Sequence, residues 1–542
     1  MKMLFYLYRQ SWLGFSVATC TGLLGGFSGA GLVAVVSKGV ADKAHLLSYA
    51  SLFFGLCIFQ LLNKACSEIT LVRLTQEMVC QLRIDLSRKL LATPYNVLEG
   101  MGKPRLLAIL TGDVNMFTQA AQLLPAVFGN CIVTIVCLGY MAFLSWPIFL
   151  SSTLFLAFGV TAYHFSEQRP LRQMRKVRGQ MDIIYRNFRS LLEGTRELKL
   201  NSARSVYFID NVIAPSAQNF RKLFVRTMTG YTIVNNMGSS YFFIALGVAL
   251  FVIPVWAPQP AATMTAITFL LFYLIQPVSS VMGALPNLRQ SSIALSRIRQ
   301  LNADLTQIAP EAPHQHRHDP FAVAYPDTPL LQLIQVRHQF PGLTDDKPFN
   351  LGPIDLSIQR GETLFIVGGN GSGKTTLAML LLGLYKPEGG AIKLNGVQVD
   401  DVSRSRYRQY FSAVFADFFL FDEILGADEQ RLAAQANEYL SKLRIGHKVK
   451  AEAGRYSTTS LSQGQRKRMA LVSSYLEDRP IHLFDEWAAD QDPVFKRIFY
   501  LELLPELKKC GKTVIVISHD DAYFSCADCV IKLEDGMVVS DL

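Results

Sequence analysis

Six stretches of roughly 20 predominantly apolar residues, each able to cross a hydrocarbon core as a helix, restrict the first half of this sequence more than any other feature. They lie at about 12–36, 46–62, 123–143, 148–165, 231–255 and 262–282. Lipid offers no partner to a backbone N–H or C=O, so a chain that places these stretches in a bilayer must wind them into helices. Of the 542 residues 50% are hydrophobic and only 18% charged, and the apolar ones cluster before residue 285. Trp146-Pro147 turns the third stretch into the fourth, while Pro258 and Pro260 mark the exit from the fifth. Lys2 and Arg9 precede the first stretch without a small-residue cleavage pattern, which reads as a first membrane helix and not as a removed signal. Gly22, Gly25, Gly26, Gly29 and Gly31 permit either close helix packing or a flexible apolar segment.

The connections set the orientation. Those at 64–122 and 166–230 are long and basic, with Arg73, Arg83, Arg88 and Lys89 in the first and Arg169, Arg172, Lys176 and Arg178 in the second. Loops rich in lysine and arginine stay cytoplasmic, which places both termini there as well. The same placement accounts for the net charge of +10 and, with no basic patch interleaved with aromatics, argues against nucleic acid as a partner. Apolar residues at helical spacing across 71–91 predict membrane helices that continue into the cytosol, with breaks at Pro94, Gly100, Gly102 and Pro104 and again at 193–197. The polar candidates within the stretches are the amides Gln60, Asn130, Asn235, Asn236 and Gln276, with no acid or base placed at mid-depth. That disfavours a proton- or ion-coupled carrier and leaves interhelical hydrogen bonding or a lined pathway as roles for the amides. Cysteines in the apolar stretches read as reduced packing thiols, as do Cys526 and Cys529; His314, His316 and His318 read as part of a solvated, proline-bearing linker.

After about residue 330 the composition is that of a soluble α/β domain. The apolar run 363–367 leads into Gly368-Gly369-Asn370-Gly371-Ser372-Gly373-Lys374-Thr375, and Thr376 opens a helix-like run. A strand, a glycine-rich loop and a helix start hold nucleotide phosphates: main-chain N–H groups turn inward, Lys374 reaches the terminal phosphates and the Thr375 hydroxyl ligates Mg²⁺. Downstream, the apolar run 481–484 ends in Asp485 and Glu486. Asp485 is placed to hold Mg²⁺ through water, and Glu486 to polarise the water that attacks the γ-phosphate of ATP.

Just before that pair, Leu461-Ser462-Gln463-Gly464-Gln465 resembles the signature of ATP-binding cassettes, with Gln463 in place of the first glycine. The resemblance implies further roles: Phe340 as the aromatic that stacks on adenine, Asp492 at the end of the loop on the dimer seam, and His519 as the switch histidine that contacts the γ-phosphate. Ala416 stands where exporters of this kind usually carry a glutamine that touches Mg²⁺, with the neighbouring Asp417 a candidate substitute or a plain surface carboxylate.

The six stretches and two long excursions resemble the exporter-type membrane domain. The fold expected is therefore a membrane α-helical domain of six transmembrane helices at 1–300, a linker at 301–329, and an α/β P-loop cassette at 330–542. Short transverse helices are implied near 95–103 and 200–208. One cassette per chain implies a homodimer, because the signature of one cassette, Ser462, Gln463, Gly464 and Gln465, completes the phosphate site of the other. Segments 484–493, 518–521 and 193–201 are similar to the bacterial cyclic-peptide and siderophore exporters, the PvdE/SyrD/YojI-like branch. That branch implies ATP-driven outward movement of a modified or cyclic peptide across the inner membrane. The readings set against it are a lipid or multidrug exporter of the same fold, a siderophore importer, and a membrane-anchored regulatory ATPase.

Overall fold

The structure, a computed structural model, describes residues 12–41, 45–256, 258, 260–307, 319–323, 328–340, 349–425 and 429–541. Its contacts divide the chain into two compact units, Met1–Asp85 with Leu107–Leu301, and Leu86–Leu106 with Asn302–Leu542.

All six apolar stretches are helical. Among the described residues five helices are long and apolar enough to cross a membrane, Trp12–Val36, Leu47–Ala92, Lys103–Leu144, Trp146–Glu193 and Thr263–Thr306. The stretch 231–255 is divided between the α-helix Ala214–Gly247, a π-wound segment Val248–Val252 and a last turn Ile253–Trp256. Helix Leu46–Ala92 has 47 residues and Trp146–Glu193 has 48. At 1.5 Å per residue these are roughly 70 Å long, more than twice the depth of a hydrocarbon core, so they do extend well past it. Outward-facing apolar side chains such as Phe143, Leu154, Phe251 and Trp256 are exposed in this unit, as a lipid-solvated surface requires. Its packed centre gathers Val33, Val133, Met141, Ile148, Ile267 and Leu270.

The glycines of the first helix divide into two kinds. A Cβ on Gly26 would lie 2.6 Å from Ile132 Cγ2, and one on Gly29 would lie 2.3 Å from the Tyr273 hydroxyl, so these two mark close helix packing. Gly22 and Gly25 have ordinary room, 3.4 and 3.9 Å to the nearest atom. Two of the amides bond between helices: Gln60 donates to the Tyr273 hydroxyl at 3.3 Å and Asn130 to Ser280 Oγ at 2.8 Å. The side chain of Asn235 and the histidines 314, 316 and 318 lie outside the described residues.

The sequence breaks become short helices. Tyr95–Met101 runs between Pro94 and Gly102, whose φ of +80° suits glycine. It belongs to the second unit, where the Tyr95 ring stacks on Tyr385 at 6.3 Å and the Tyr385 hydroxyl donates to Glu99 at 2.5 Å. In the first unit Thr195–Leu200 and Ser202–Phe208 meet at Asn201, whose side chain accepts the Arg204 N–H at 3.1 Å as an N-cap.

The rest of the second unit holds β1 (Leu331–Phe340), β2 (Phe349–Ile358), β3 (Thr363–Gly368), β4 (Gly389–Leu394), β5 (Val397–Gln398), β6 (Phe411–Val414), β7 (Ala451–Glu452), β8 (Arg455–Tyr456), β9 (Ile481–Asp485), β10 (Thr513–Ile517), β11 (Cys529–Glu534) and β12 (Met537–Asp541). Six form one sheet in the order β12-β11-β3-β10-β9-β6, parallel except for β12. β9 and β10 are buried at every position and β3 at all but its last, because a parallel sheet covered on both faces needs apolar residues throughout and not in alternation. One cover includes Phe484, Trp487, Phe499 and Tyr500; the other includes Leu364, Ile366, Leu377 and Leu381. Cys526 packs against the first cover and Cys529 against the second, as packing thiols. An antiparallel sheet, β2-β1-β4-β5, completes the unit with the small β7-β8 pair.

Overfilling Gly26 is expected to destabilise the membrane unit. Gly26→Val should cost about 1–3 kcal/mol, seen as a lower unfolding temperature of the full chain in detergent. Gly139→Ala, whose Cβ meets nothing within 4 Å, should be neutral or slightly stabilising.

Candidate functional site

The site is built on strand ends. Ile517 of β10 pairs with Ile366 of β3 on one side and with Asp485 of β9 on the other, so β9 and β10 finish level while β3 runs two residues further, to Gly368. Ligands in such sheets bind beyond the carboxyl ends of the strands. Here the loops leaving those ends carry residues 368–373, 486–490 and 518–520.

The loop after β3 is shaped by glycine. Gly368 has φ of +151°, and a Cβ there would lie 2.3 Å from the Leu533 carbonyl oxygen. Lys374 opens helix Lys374–Leu381 and folds back, its Nζ donating to the carbonyls of Gly368 and Gly369 at 2.9 Å each. Burial pushes its pKa down, against the pull of Glu486 and Asp485. The Ser372 hydroxyl is buried without a partner, while a Cβ added at Gly369 or Gly371 would meet nothing within 4 Å. A lysine, an orphan hydroxyl and open loop backbone at a helix N-terminus fit a phosphate chain. Thr375 is exposed on the first turn, with Thr376 half-buried beside it.

Asp485 is only 3% exposed. Burial first, and then the neighbouring Glu486 charge, push its carboxyl up to about 6, opposed by the Ala416 N–H bond and by Lys374. Ala416 thus serves the site through its main chain, and Asp417 adds to the repulsion on Asp485. Glu486 sits in the left-handed region at φ +48°, its N–H donating to the Ile517 carbonyl at 3.0 Å. That strained backbone holds its carboxylate 3.2 Å from His519 Nε2. Among the described residues no group of three or more His, Cys, Asp or Glu side chains is gathered for a metal. Thr375 and Asp485 are a sparse set that suits Mg²⁺, which keeps waters and takes phosphate oxygens alongside one or two carboxylates.

The segment 461–465 forms a helix start. Ser462 caps helix Gln463–Glu477 in a reciprocal box with Gln465. Gln463 donates to Asp490 at 3.0 Å, and Gly464 O accepts from Gln491 at 3.0 Å. One turn on, Lys467 is 3% exposed and reaches both Asp490, at 2.8 Å, and the Glu486 carbonyl, at 2.9 Å. Arg468 pairs with Asp492 at 2.7 Å and lies over the Phe495 ring at 3.6 Å, while Asp492 caps helix Pro493–Ile498. Lys467, Arg468, Asp490 and Gln491 were not legible as site residues. The available signal was the i,i+4 spacing of Gln463 and Lys467 and a carboxylate four residues after Glu486. Phe340 ends β1, and its side chain lies outside the described residues.

Comparison with known proteins follows the same division. Residues 351–489 match the family model described as ABC transporter, and residues 13–199 match ABC transporter transmembrane region. The chain is similar to the ATP-binding protein SyrD of Pseudomonas syringae pv. syringae, 37% identical over 535 residues, covering 98% of this chain and 94% of that protein. It is also similar, at 26% identity, to an ATP-dependent lipid A-core flippase of Alkalilimnicola ehrlichii, covering 92% of this chain and 85% of that protein. A solved bacterial Atm1-family ABC exporter with ATP bound shares the fold, with a TM-score of 0.74 at 17% identity, covering 98% of this chain and 95% of that one.

The raised pKa of Asp485 has a stability consequence with a definite sign. The folded state holds the proton more tightly than the unfolded chain, so the penalty is absent below about pH 4, grows as pH rises towards about 6 and is complete above it. Solvent at the loop screens part of it, leaving about 1–3 kcal/mol. Asp485→Asn is therefore expected to raise the unfolding temperature of the nucleotide-free protein at pH 8 and to give no gain at pH 4, followed by tryptophan fluorescence.

Proposed function

The chain belongs to the ABC transporter family, as an exporter-type membrane region joined to one ATP-hydrolysing cassette, and on that premise we propose that it exports a modified or cyclic peptide. The observation that carries this reading is likeness to SyrD at 37% identity over 98% of the chain, together with the segments 193–201 and 484–493 that resemble the cyclic-peptide branch. A lipopeptide or a peptide siderophore precursor fits the same class. Export of a lipid is the second reading, favoured by the 26% identity to a lipid A-core flippase.

In this proposal residues 1–300 form the membrane domain in the bacterial inner membrane, 301–329 the linker and 330–542 the cassette, with both termini cytoplasmic. The N–H groups of 368–373 with Lys374, Thr375 and Thr376 hold the phosphates of ATP, and Phe340 stacks on adenine. Thr375 and Asp485 would hold Mg²⁺, which would supply positive charge to offset that of the phosphates. Glu486 accepts a hydrogen bond and then a proton from the attacking water, and His519 orients the Glu486 carboxylate and meets the γ-phosphate; as the water oxygen bonds to Pγ, the bond from Pγ to the β–γ bridging oxygen breaks, giving ADP and inorganic phosphate. Ser462, Gln463, Gly464, Gln465 and Asp492 complete the site of a second copy, so the working form is a homodimer enclosing two ATP. Closure on ATP converts an inward-facing cavity to an outward-facing one, and hydrolysis resets it; a switch of population from 1:99 to 99:1 takes about 5.5 kcal/mol of differential binding.

Glu486→Gln is expected to lower ATP turnover by roughly 10²–10⁴-fold while ATP still binds, and Lys374→Ala to weaken nucleotide binding itself. Both should end ATP-dependent accumulation of labelled cyclic peptides in inverted vesicles. Normal accumulation by either variant without turnover would sink the coupling, and stimulation of the ATPase by lipid A but by no cyclic peptide would transfer the assignment to the lipid reading.

A further inference from the structure

Within the membrane unit, four helices line an open cavity of about 430 Å³, within the roughly 300–1,000 Å³ range of small-ligand sites. Its wall brings together Gln60 of helix Leu46–Ala92, Asn130 of Val114–Leu144 and Gln276 of Ala261–Gln307, facing Gly22 and Gly25 of Trp12–Ala41. We propose that this cavity is the cargo pocket and that its carboxamides recognise the amide groups of a peptide. The inference rests on the export reading and names the residues that would give it specificity.

Three observations carry it. Polar side chains in hydrocarbon are costly and concentrate where they meet one another or line a pathway; here three carboxamides from three helices meet at one void. Each carboxamide offers two donors and an acceptor, matching the C=O and N–H of a peptide bond. Gln60 and Asn130 each commit one donor, to Tyr273 and Ser280, which fixes their orientation. Pro277, also on the wall, has no N–H to give the Tyr273 carbonyl one turn back, adding main-chain acceptor character beside the amides.

The void also depends on missing side chains. Gly22, Gly25 and Gly26 all lie on its wall; a Cβ on Gly26 would run into Ile132, whereas Gly22 and Gly25 have room for one, at 3.4 and 3.9 Å from the nearest atom. Lys64 and Glu68 contribute a charge of each sign to the wall, which suits polar peptide side chains and not an acyl chain. Among the described residues the same unit has two apolar voids: one, lined by Leu138, Phe155, Leu156, Val160, Leu274 and Val278, holds only about 30 Å³, and a second, open one along Leu154, Ala157, Phe158 and Thr161 holds about 420 Å³. The first is a packing gap; the second has no carboxamide or charged side chain on its wall to recognise a peptide bond.

The test measures equilibrium binding to the full chain in lipid nanodiscs. The probes are a pool of fluorescein-labelled cyclic peptides of about six residues and a labelled diacyl phosphatidylethanolamine. Gly25→Leu, which fills the void, is expected to weaken peptide binding by tenfold or more. Gly139→Leu, on an exposed helix face away from the cavity, should bind as the parent does. Gln276→Leu keeps the side-chain size at an exposed position and should weaken peptide binding about three- to tenfold, which keeps the test decisive if Gly25→Leu misfolds. N-methylation of the peptide backbone should weaken binding to the parent protein and have less effect on Gln276→Leu. Peptide binding unchanged in both cavity variants would overturn the pocket and leave peptide export standing. Lipid binding with no peptide binding, or no binding of either probe, would overturn the pocket, and the first of these would overturn the peptide reading with it.

Discussion

The nucleotide chemistry of this protein depends on the in-register pairing of three buried strands. Because Ile517 is paired in register with both Ile366 and Asp485, the loops that follow leave adjacent strands along the same edge of the sheet, that of β3 two residues further out. A one-residue slip in either pair would turn every side chain to the other face and separate the phosphate loop from the acids. Both faces of these strands are buried, against different residues on each side, so a slip would misfit both covers. Lys374 then lies where burial lowers its pKa and the two acids raise it, so charges that are costly singly are partly balanced together.

The same edge carries strain. Glu486 in the left-handed region is held by its N–H bond to Ile517 O, by the Lys467 ammonium on its own carbonyl, and by the Ala489 N–H. Lys467 ties the carbonyl of Glu486 to Asp490, and Asp490 is also held by Gln463. A displacement of the helix Gln463–Glu477 therefore bears directly on the residue beside the candidate metal ligand. Replacement of a glycine by Gln463 at the second position after Leu461 adds a side-chain link to that chain of contacts.

In the membrane unit the governing constraint is different. Hydrocarbon provides no hydrogen bonds, so helices are obligatory, and what remains variable is how closely they approach. Gly26 and Gly29 bring the first helix against Ile132 and Tyr273, whereas Gly22 and Gly25 leave room on the wall of the cavity that Gln60 also lines. Close packing and an open pocket thus come from glycines only one turn apart.

Local pattern in the sequence determined the helical state of the six apolar stretches, their long extensions, the breaks around residues 94–104 and 194–201, the strand that runs into the phosphate loop and the paired acids at 485 and 486. These are properties of neighbours in the chain: apolar length, helical spacing, glycine and proline, so one sequence suffices to read them. Tertiary structure alone decided which amides share a void, for Gln60, Asn130 and Gln276 come from distant helices while Asn236 is not on that wall. It also decided that Lys467 is buried against Asp490 and the Glu486 carbonyl, that Ala416 acts through its N–H, and that residues 86–106 group with the second unit. Such relations are set by the packing of segments tens to hundreds of residues apart, and side-chain periodicity along one segment contains no information about what its face will meet.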